Sequence, residues 1–541
     1  MTNPDDTGNT KNLDVLVIGA GFAGLYALHR FRNEQGLNVR VLEAADGVGG
    51  TWYWNRYPGA RCDSESFYYS YSFSDELQQE WRWSSKYPEQ PEILAYLEHV
   101  ADRFDLTKDI QFETKVTAAI YNDDTADWTV ETDAGEAFTA QYLVSAVGCL
   151  SAANLPDIPG RDKFTGESYH TGMWPKEGVD FKGKRVALIG TGSSGIQSTP
   201  VIAADAQQLT VFQRTANYTV PTRNNLLSDE ATAAIKENYA EIRELTRNTP
   251  SCFPYKTIER SGLDVNDEER QAVFEDLWNE GGFRFIYGSF SDLMVNKEVN
   301  SYASEFIRSK IRAIVQDPET ANKLCPTDHP YGSKRPPIDT DYYTSFNRDN
   351  VELVDLKAEP IVEITETGIR TELREYKFDT IVFATGFDAM TGSLLKIDIR
   401  GVNGLTLAEK WSAGPLTYLG LQIAGFPNLF TITGPGSPSV LTNMPVSIEQ
   451  HVDWISDCIA YMHDNGISKI EAQPDAEATW VAHVNEVAEQ TLFYEARSWY
   501  LGVNIPGKPR VFMPYVGGAK VYRDKCQEVA DAGYEGFKLQ A

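Results

Sequence analysis

Two stretches of the chain share one pattern of hydrophobic and polar positions. Each begins with an aliphatic run typical of a buried strand, continues with a glycine-rich turn and ends in a helical pattern. The first reads LDVLVIGAGFAGLYALHRF (13–31) and the second KRVALIGTGSSGIQSTPVIA (184–203). A strand, a glycine turn and a helix in this order are typical of dinucleotide-binding units. The pattern therefore predicts two such units.

The far end of each unit also follows one plan. WTVETDAGEAFTAQYLVSAVG (128–148) predicts a hairpin followed by a buried strand, and VEITETGIRTELREYKFDTIVFATG (362–386) predicts the same again. Each unit is thus expected to be a parallel sheet with an antiparallel meander. We expect an α/β fold with two Rossmann-like dinucleotide-binding domains.

The second unit is interrupted by a longer insertion than the first. Residues 228–325 have the periodicity of several helices and predict a helical subdomain. A chain of 541 residues is long enough for several cores. We expect the chain to cross between the units near 149–160 and 386–390. The predicted domains are the first unit at 1–150 and 387–541, the second unit at 151–225 and 331–386, and the helical insertion at 226–330.

The glycine turns carry the first candidate site residues. Both fit the spacing GxGxxG, through Gly19, Gly21, Gly24 and through Gly190, Gly192, Gly195. Glycine lets the backbone approach a pyrophosphate, which the amino end of the following helix attracts. Ser193, Ser194 and Gln197 adjoin the second turn and are further candidates for cofactor contacts.

The residue that stands 19 positions after the third glycine of each turn indicates which nucleotide the unit binds. Glu43 stands 19 residues after Gly24, and Arg214 stands 19 residues after Gly195, each at the end of the second predicted strand. A carboxylate there accepts from ribose hydroxyls, whereas a guanidinium pairs with a 2′-phosphate, beside which Thr215 adds a hydroxyl. The offset predicts NADP in the second unit and makes FAD the natural occupant of the first.

The composition of the chain excludes several classes of binding partner. A formal net charge of −28 argues against nucleic acids and anionic membranes. The six cysteines form no CxxC pair and no zinc-spaced cluster, so we expect reduced thiols and no metal site. The polar start of the chain and the lack of a long apolar run predict a cytoplasmic protein without signal peptide or membrane span. We expect a monomer or a weak oligomer.

Two longer patterns identify a family. FTGESYHTGMWP fits FxGxxxHxxxWP through Phe164, Gly166, His170, Trp174 and Pro175. GGTWYWNRYPGARCD (49–63) fits GGxWxxxxYPGxxxD. With these patterns the chain resembles the Baeyer–Villiger monooxygenases over nearly its whole length. Within that family it is most similar to the phenylacetone monooxygenases, with the cyclohexanone monooxygenases a little further away.

The resemblance implies an enzyme that binds FAD and NADPH. With dioxygen it would convert aromatic, cyclic or linear ketones into esters or lactones through a peroxide on the flavin C4a carbon, with sulfoxidation as a side activity. In YGSKRPPIDTDYY, Arg335 would be the catalytic arginine beside the flavin, and Lys334 would bind the 2′-phosphate. Asp63 would set the position of Arg335. The partner of Arg61 is left open.

The resemblance also assigns cofactor and pocket residues. Gly50, Thr51 and Trp52 would bind the cofactor, and Trp499 would contact the nicotinamide side. Trp52, Trp54 and Tyr57 would pack around the flavin or line the pocket. The substrate pocket is expected at Ser439, Val440, Leu441 and Met444. Val440 and Pro445 depart from the family's pattern, so the preferred ketone is open. His170 is interpreted as a hinge residue in a linker that Trp174 and Pro175 stiffen.

Three other functions are open. N-hydroxylating and microsomal-type flavin monooxygenases share the two glycine turns but have a shorter fingerprint. Disulfide reductases share the paired domains but need a redox CxxC pair. A nucleotide-sensing protein would bind NADPH without oxidising it. The Trp-Pro ending of the fingerprint and the 49–63 pattern favour the Baeyer–Villiger type.

Overall fold

The computed structural model describes residues 12–541. The polar segment 1–11, on which the predicted lack of a signal peptide depends, lies outside that range. Within the described part, no helix is long and apolar enough to cross a membrane. The six cysteines are all free thiols.

Twenty strands are numbered along the described chain. They are β1 (Asn12–Ile18), β2 (Val39–Leu42), β3 (Ile110–Gln111), β4 (Val116–Asn122), β5 (Asp127–Thr132), β6 (Ala137–Ser145), β7 (Glu167–His170), β8 (Arg185–Ile189), β9 (Gln208–Gln213), β10 (Val220–Pro221), β11 (Ile338–Asp339), β12 (Val351–Asp355), β13 (Ile361–Thr365), β14 (Gly368–Thr371), β15 (Glu375–Lys377), β16 (Thr380–Phe383), β17 (Asp398–Arg400), β18 (Leu429–Thr431), β19 (Lys469–Ala472) and β20 (Phe537–Gln540).

The α-helices of the same part of the chain are numbered in the same way. They are α1 (Phe22–Leu28), α2 (Thr51–Trp54), α3 (Asp75–Glu80), α4 (Gln90–Arg103), α5 (Ser193–Asp205), α6 (Asp229–Glu237), α7 (Tyr239–Asn248), α8 (Asp267–Glu280), α9 (Arg284–Tyr287), α10 (Lys297–Ile314), α11 (Pro318–Leu324), α12 (Tyr342–Ser345), α13 (Gly392–Leu395), α14 (Leu407–Lys410), α15 (Met444–Asp464), α16 (Pro474–Glu489) and α17 (Ala519–Asp531).

The larger sheet draws strands from both ends of the chain. Its order is β17–β4–β5–β6–β1–β2–β3, and β18 pairs with the carboxyl half of β6. Its middle strand β1 runs parallel to β2 and β6, so Val17 pairs with Val41 and with Val144, and all three side chains are fully buried. A strand covered on both faces is a continuous apolar run, as the sequence predicted. The stretch 128–148 contains the antiparallel pair β5–β6, in which β6 is the buried strand, and the preceding β4 completes the meander.

The second sheet is parallel throughout, in the order β12–β9–β8–β16–β7. The meander predicted at 362–386 is present, but β13, β14 and β15 form a separate antiparallel sheet. The stretch predicted to be helical contains α6 to α11. Aromatic side chains of that stretch, among them Phe274, Trp278 and Phe306, join the core on one face of the second sheet.

The FxGxxxHxxxWP segment is part of this second sheet, and the prediction that it is a linker is wrong. Its middle forms the edge strand β7, in which Tyr169 pairs with Val382 of β16. Phe164 packs into the core on one face of the sheet, and Trp174 is buried in the core on the other face. The segment therefore forms the edge of the sheet and contributes an aromatic side chain to the core on each face.

The chain crosses between the two sheets in two segments that pair with each other. Three backbone hydrogen bonds join them, from Asn154 N to Gly386 O (2.9 Å), from Asp388 N to Ala152 O (2.8 Å) and from Met390 N to Cys149 O (2.8 Å). The crossings lie where the sequence predicted them, and together they form a short antiparallel ribbon.

His170 lies beside this ribbon. Its ring packs against Phe387 with centroids 6.2 Å apart, and Nδ1 accepts a hydrogen bond from Gly172 N at 3.0 Å. Burial lowers the pKa of His170, which favours the neutral imidazole. Its contacts are with the connection between the sheets, which agrees with a hinge role; that role stays a prediction.

One buried guanidinium fastens the helical insertion to the first unit. Arg243, on α7, is only 5% exposed. It donates to Gln78 Oε1 (2.9 Å), Ser70 Oγ (2.8 Å), Ser70 O (3.1 Å), Tyr71 O (3.0 Å) and Tyr68 O (3.3 Å). Most of these acceptors precede α3, so a single side chain orders the segment that follows the 49–63 pattern.

Replacement of this side chain should destabilise the protein strongly. We expect Arg243→Met to lower the free energy of unfolding by about 3 kcal/mol, because several buried acceptors lose a charged donor. Urea unfolding followed by fluorescence measures the loss. Arg247→Met is the control, since Arg247 is exposed and donates to Ser72 Oγ at 3.1 Å; it should cost less than about 0.5 kcal/mol. Equal losses would contradict the assignment.

Candidate active site and nucleotide sites

The first glycine turn is packed too tightly for side chains. Gly19 has a φ of +103°, and a Cβ there would lie 2.6 Å from Ala146 O. A Cβ on Gly24 would lie 1.8 Å from Gly19 O. Gly21 lies against Gly50, which precedes α2. The Gly19–Gly24 turn and the segment at Gly50 together form one cradle of bare backbone at the amino end of α1. Such a cradle is the surface that a pyrophosphate requires.

Glu43 is buried beside this cradle at the end of β2. Its carboxylate accepts from Ala20 N at 2.6 Å and from Ala45 N at 2.9 Å. Burial raises the pKa of Glu43, and the backbone hydrogen bonds oppose that rise. The carboxylate thus holds the glycine turn in place; its contact with a ribose stays a prediction.

The second glycine turn repeats the first. Gly190 has a φ of +113°, and a Cβ there would lie 2.3 Å from Ala384 O. A Cβ on Gly195 would lie 2.2 Å from Gly190 O, whereas one on Gly192 would meet no described atom within 4 Å. The amino end of α5 therefore has room for a ligand. Ser194 Oγ lies 3.1 Å from Thr171 Oγ1, which links this turn to the segment after β7. Ser193 is exposed at the first turn of α5.

Arg214, which follows β9, and Lys334 are close enough for their like charges to interact. Burial lowers the pKa of Lys334; Asp328 opposes that change, while the like charge of Arg214 adds to it. Within residues 12–541, neither cation forms a salt bridge. Thr215 is held against the turn by a hydrogen bond from Thr191 Oγ1 to its carbonyl oxygen at 2.8 Å. Two neighbouring cations that form no salt bridge within the described residues favour a dianionic ligand such as a 2′-phosphate.

The predicted catalytic pair is assembled in the structure. Arg335 Nε lies 2.8 Å from Asp63 Oδ2, and its Nη2 lies 3.0 Å from Oδ1, a bidentate ion pair across 272 positions of sequence. The third nitrogen, Nη1, donates to Val440 O at 2.6 Å. About one fifth of each side chain is exposed. The guanidinium is therefore fixed from both sides while part of it stays accessible.

The surroundings of Arg335 keep it charged. Burial disfavours the cation, but the carboxylate of Asp63 more than offsets this, so the pKa of Arg335 is raised above its usual value. The guanidinium also lies over the ring of Phe283 at 4.9 Å. Such a cation can stabilise negative charge that develops on oxygen, because its position and protonation do not change.

The predicted substrate loop is part of this site. Ser439–Leu441 form a short 3-10 turn, with Ser439 at a φ of +41°, and Met444 begins α15. Val440 belongs to a hydrophobic cluster against which Trp499, Leu441 and Met444 pack. The structure thus brings the loop, the Trp499 segment and Arg335 together.

Several residues of this site carried no recognisable signal in the sequence. Phe283 and Tyr287 come from the helical insertion, and Tyr287 donates to Leu441 O at 3.4 Å. Tyr500 packs on Trp499 with centroids 4.3 Å apart and is buried near Arg335. Only its position next to Trp499 could have suggested Tyr500.

Glu65 was also missed. Its buried carboxylate pairs with Arg284 and accepts from Tyr255 at 3.1 Å. It lies two residues after Asp63, so two carboxylates of one segment each hold an arginine from later in the chain. Neither Glu65 nor Arg284 belongs to a motif.

Three residues expected at the cofactors have different surroundings. Trp54 is 39% exposed and meets Tyr53 edge-on, whereas Trp52 is buried and donates to Tyr69 at 3.2 Å. Both ends of the Gln197 amide are bound by the first unit, as described below, and its contact with a cofactor stays a prediction. Thr51, at the start of α2, is exposed beside Gly50.

Comparisons with known proteins find similar chains and folds. The model of the pyridine nucleotide-disulphide oxidoreductase family matches residues 16–270. A phenazine N-monooxygenase of Lysobacter antibioticus is 48% identical, over 98% of this chain and 97% of its own. A Baeyer–Villiger monooxygenase of Pseudooceanicola batsensis is 47% identical, with coverage of 98% and 97%. The solved structure of an oxidised steroid monooxygenase bound to NADP is 56% identical, covers 98% and 100%, and has a TM-score of 0.94.

The comparisons and the site lead to one family. One solved relative is bound to NADP and another is a complex with FAD and NADP. The two glycine turns and the two cations fit those cofactors. The match to a disulphide oxidoreductase model reflects the paired domains, since the sequence lacks a CxxC pair. The chain is therefore an FAD- and NADP-dependent oxidoreductase that belongs to the Baeyer–Villiger monooxygenase family.

Proposed function

We propose that the protein converts ketones into esters or lactones by the balanced reaction ketone + O₂ + NADPH + H⁺ → ester + H₂O + NADP⁺. The observation that carries this proposal is the ion pair of Arg335 and Asp63 beneath the Val440 turn. Bound FAD would supply the activation of dioxygen, with electrons from NADPH. The chain supplies the binding, the orientation and the fixed charge.

The two cofactors are assigned to different units. FAD would occupy the cradle of Gly19, Gly21, Gly24 and Gly50 in the unit predicted at 1–150 and 387–541. NADP would occupy the turn of Gly190, Gly192 and Gly195 in the unit predicted at 151–225 and 331–386. The neighbouring cations Arg214 and Lys334 support NADP in the second unit. The buried carboxylate of Glu43 supports a cofactor without a 2′-phosphate in the first.

Arg335 and Asp63 have separate roles in this proposal. Arg335 is the catalytic residue, because its charge stabilises anionic oxygen while oxygen attacks the carbonyl carbon. Asp63 is a positioning residue that holds the guanidinium through two hydrogen bonds and keeps it charged. Hydrophobic side chains, among them Val440, Tyr500 and Trp499, cluster at the turn that Arg335 contacts, which suits a ketone.

A second candidate reaction is oxygenation at nitrogen. A relative with 48% identity over its full length is named a phenazine N-monooxygenase. Both reactions require the same two cofactors, and they differ in the substrate that the Ser439–Leu441 turn and Met444 admit. A substrate panel that contains both ketones and phenazines therefore discriminates between the two reactions.

A substrate panel tests the proposed function directly. We expect cyclic, aryl-alkyl, linear or steroid ketones to yield esters that contain one ¹⁸O atom from ¹⁸O₂, with one NADPH consumed per ester; sulfides should give sulfoxides. Mass spectrometry of the products measures the label. If phenazines and amines are oxygenated while every ketone is returned unchanged, the N-oxygenation candidate replaces the proposal.

Removal of the Arg335 cation should affect ester formation and leave the reduction of the flavin by NADPH intact. We expect Arg335→Ala to lower ester formation by about 10²–10³-fold, because a preorganised charge at developing anionic oxygen is lost. Anaerobic reduction of the flavin by NADPH should be retained. Arg185→Ala is the control, since Arg185 forms a similar bidentate pair with Asp379, at 2.8 and 3.0 Å, on the surface of the second sheet. Full ester formation by the Arg335 variant would refute its role.

Removal of the phosphate-site cations should act on one cofactor only. We expect Arg214→Ala and Lys334→Ala each to raise KM for NADPH by about tenfold or more, because a charged partner of the 2′-phosphate is lost. KM for NADH should change less than about twofold, since NADH has no such phosphate. Steady-state kinetics with both cofactors give the ratio. Equal increases for NADPH and NADH would contradict this site.

A further inference from the structure

The second glycine turn is joined to the 49–63 loop by one amide side chain. Gln197 lies one turn into α5, the helix that follows Gly192. Its Nε2 donates to Arg61 O at 3.1 Å, and its Oε1 accepts from the Tyr57 hydroxyl at 2.7 Å. Both functions of the amide are therefore used in bridging the two units.

The backbones also touch at this point. Gly59 has a φ of +81°, and a Cβ there would lie 2.3 Å from Gln197 O and 3.2 Å from Val201 Cγ2. The loop can approach α5 this closely only because residue 59 has no side chain. Gln197 and its contacts with Tyr57, Gly59 and Arg61 are called the amide bridge below.

The amide bridge leads directly to the catalytic pair. The loop is anchored on its other side by hydrogen bonds from Gln90 N to Ala60 O at 2.9 Å and from Cys62 N to Pro88 O at 3.1 Å. Asp63 is the next residue, and its carboxylate holds Arg335. A shift of α5 relative to the first unit would thus move the loop that positions the guanidinium.

We propose that Gln197 is a positioning residue that transmits the occupancy of the NADP turn to Asp63 and Arg335. This inference rests on the proposed function. When NADP orders the amino end of α5, the amide bridge holds residues 57–63 in the arrangement that keeps Arg335 in place. Without the bridge, reduction and oxygen transfer lose their coupling, so that more of the NADPH consumed produces hydrogen peroxide in place of ester.

Two variants of the holoenzyme test this inference. Gln197→Met keeps the length of the side chain and removes both hydrogen bonds, and Tyr57→Phe removes one. We expect the fraction of NADPH that produces ester to fall about fivefold or more in the first and less in the second, because the positioning of the site is loosened. KM for NADPH should change less than about threefold, since no phosphate contact is lost.

Gln141→Met is the matched control. Gln141 lies on β6, and its Nε2 likewise lies near a tyrosine hydroxyl and a backbone carbonyl, Tyr142 Oη and Ser468 O, each at 3.2 Å. That variant should keep the ratio of ester to peroxide of the parent enzyme. Thermal unfolding of all variants separates a change in coupling from a loss of stability.

Hydrogen–deuterium exchange gives a readout that does not depend on ketone turnover. Addition of NADP⁺ should protect residues 57–63 in the parent holoenzyme and leave them unprotected in Gln197→Met. If the parent oxygenates no ketone, the proposed function fails, and this exchange experiment still tests the bridge. Unchanged coupling with unchanged protection in Gln197→Met would overturn the inference. A rise in KM for NADPH as large as that of Arg214→Ala, with coupling retained, would overturn it in favour of a direct cofactor contact.

Discussion

The ion pair of Arg335 and Asp63 is the constraint on which the site depends. Its two members come from different units, so the pair exists only while the two sheets keep one relative placement. A partly buried guanidinium is costly unless its donors are satisfied, and here a carboxylate and the Val440 carbonyl satisfy them. The Ser439–Leu441 turn is therefore held by the same group that carries the charge. Glu65, two residues after Asp63, forms a second ion pair of this kind with Arg284.

Much of the architecture was predictable because its signals are local. Buried parallel strands are continuous apolar runs, and the glycine turns need positive φ or close backbone contact at fixed spacing. Glu43 and Arg214 carry opposite charges at one offset, and that local difference is enough to predict a different cofactor for each unit. The pairing of Asp63 with Arg335 came from family resemblance, since no local pattern joins two positions so far apart.

The remaining features depend on contacts between distant segments. Phe164 to Pro175 lie between two recognisable units and were interpreted as a linker, but β7 finds its register on β16, which follows the whole helical insertion. Gln197 lies in a helix that a motif identifies, yet its partners Tyr57 and Arg61 belong to another unit. Phe283, Tyr287 and Tyr500 reach the site through tertiary packing, which single-sequence periodicity does not encode.

The paired crossings between the sheets restrict how the two units can move. A single connecting strand would let one body swivel and slide against the other, whereas two segments joined by hydrogen bonds behave as a ribbon that bends mainly across its width. The hydrogen bonds at Asn154, Asp388 and Met390 thus tie the two crossings into one ribbon, and the crossings can slide past each other only if these bonds break.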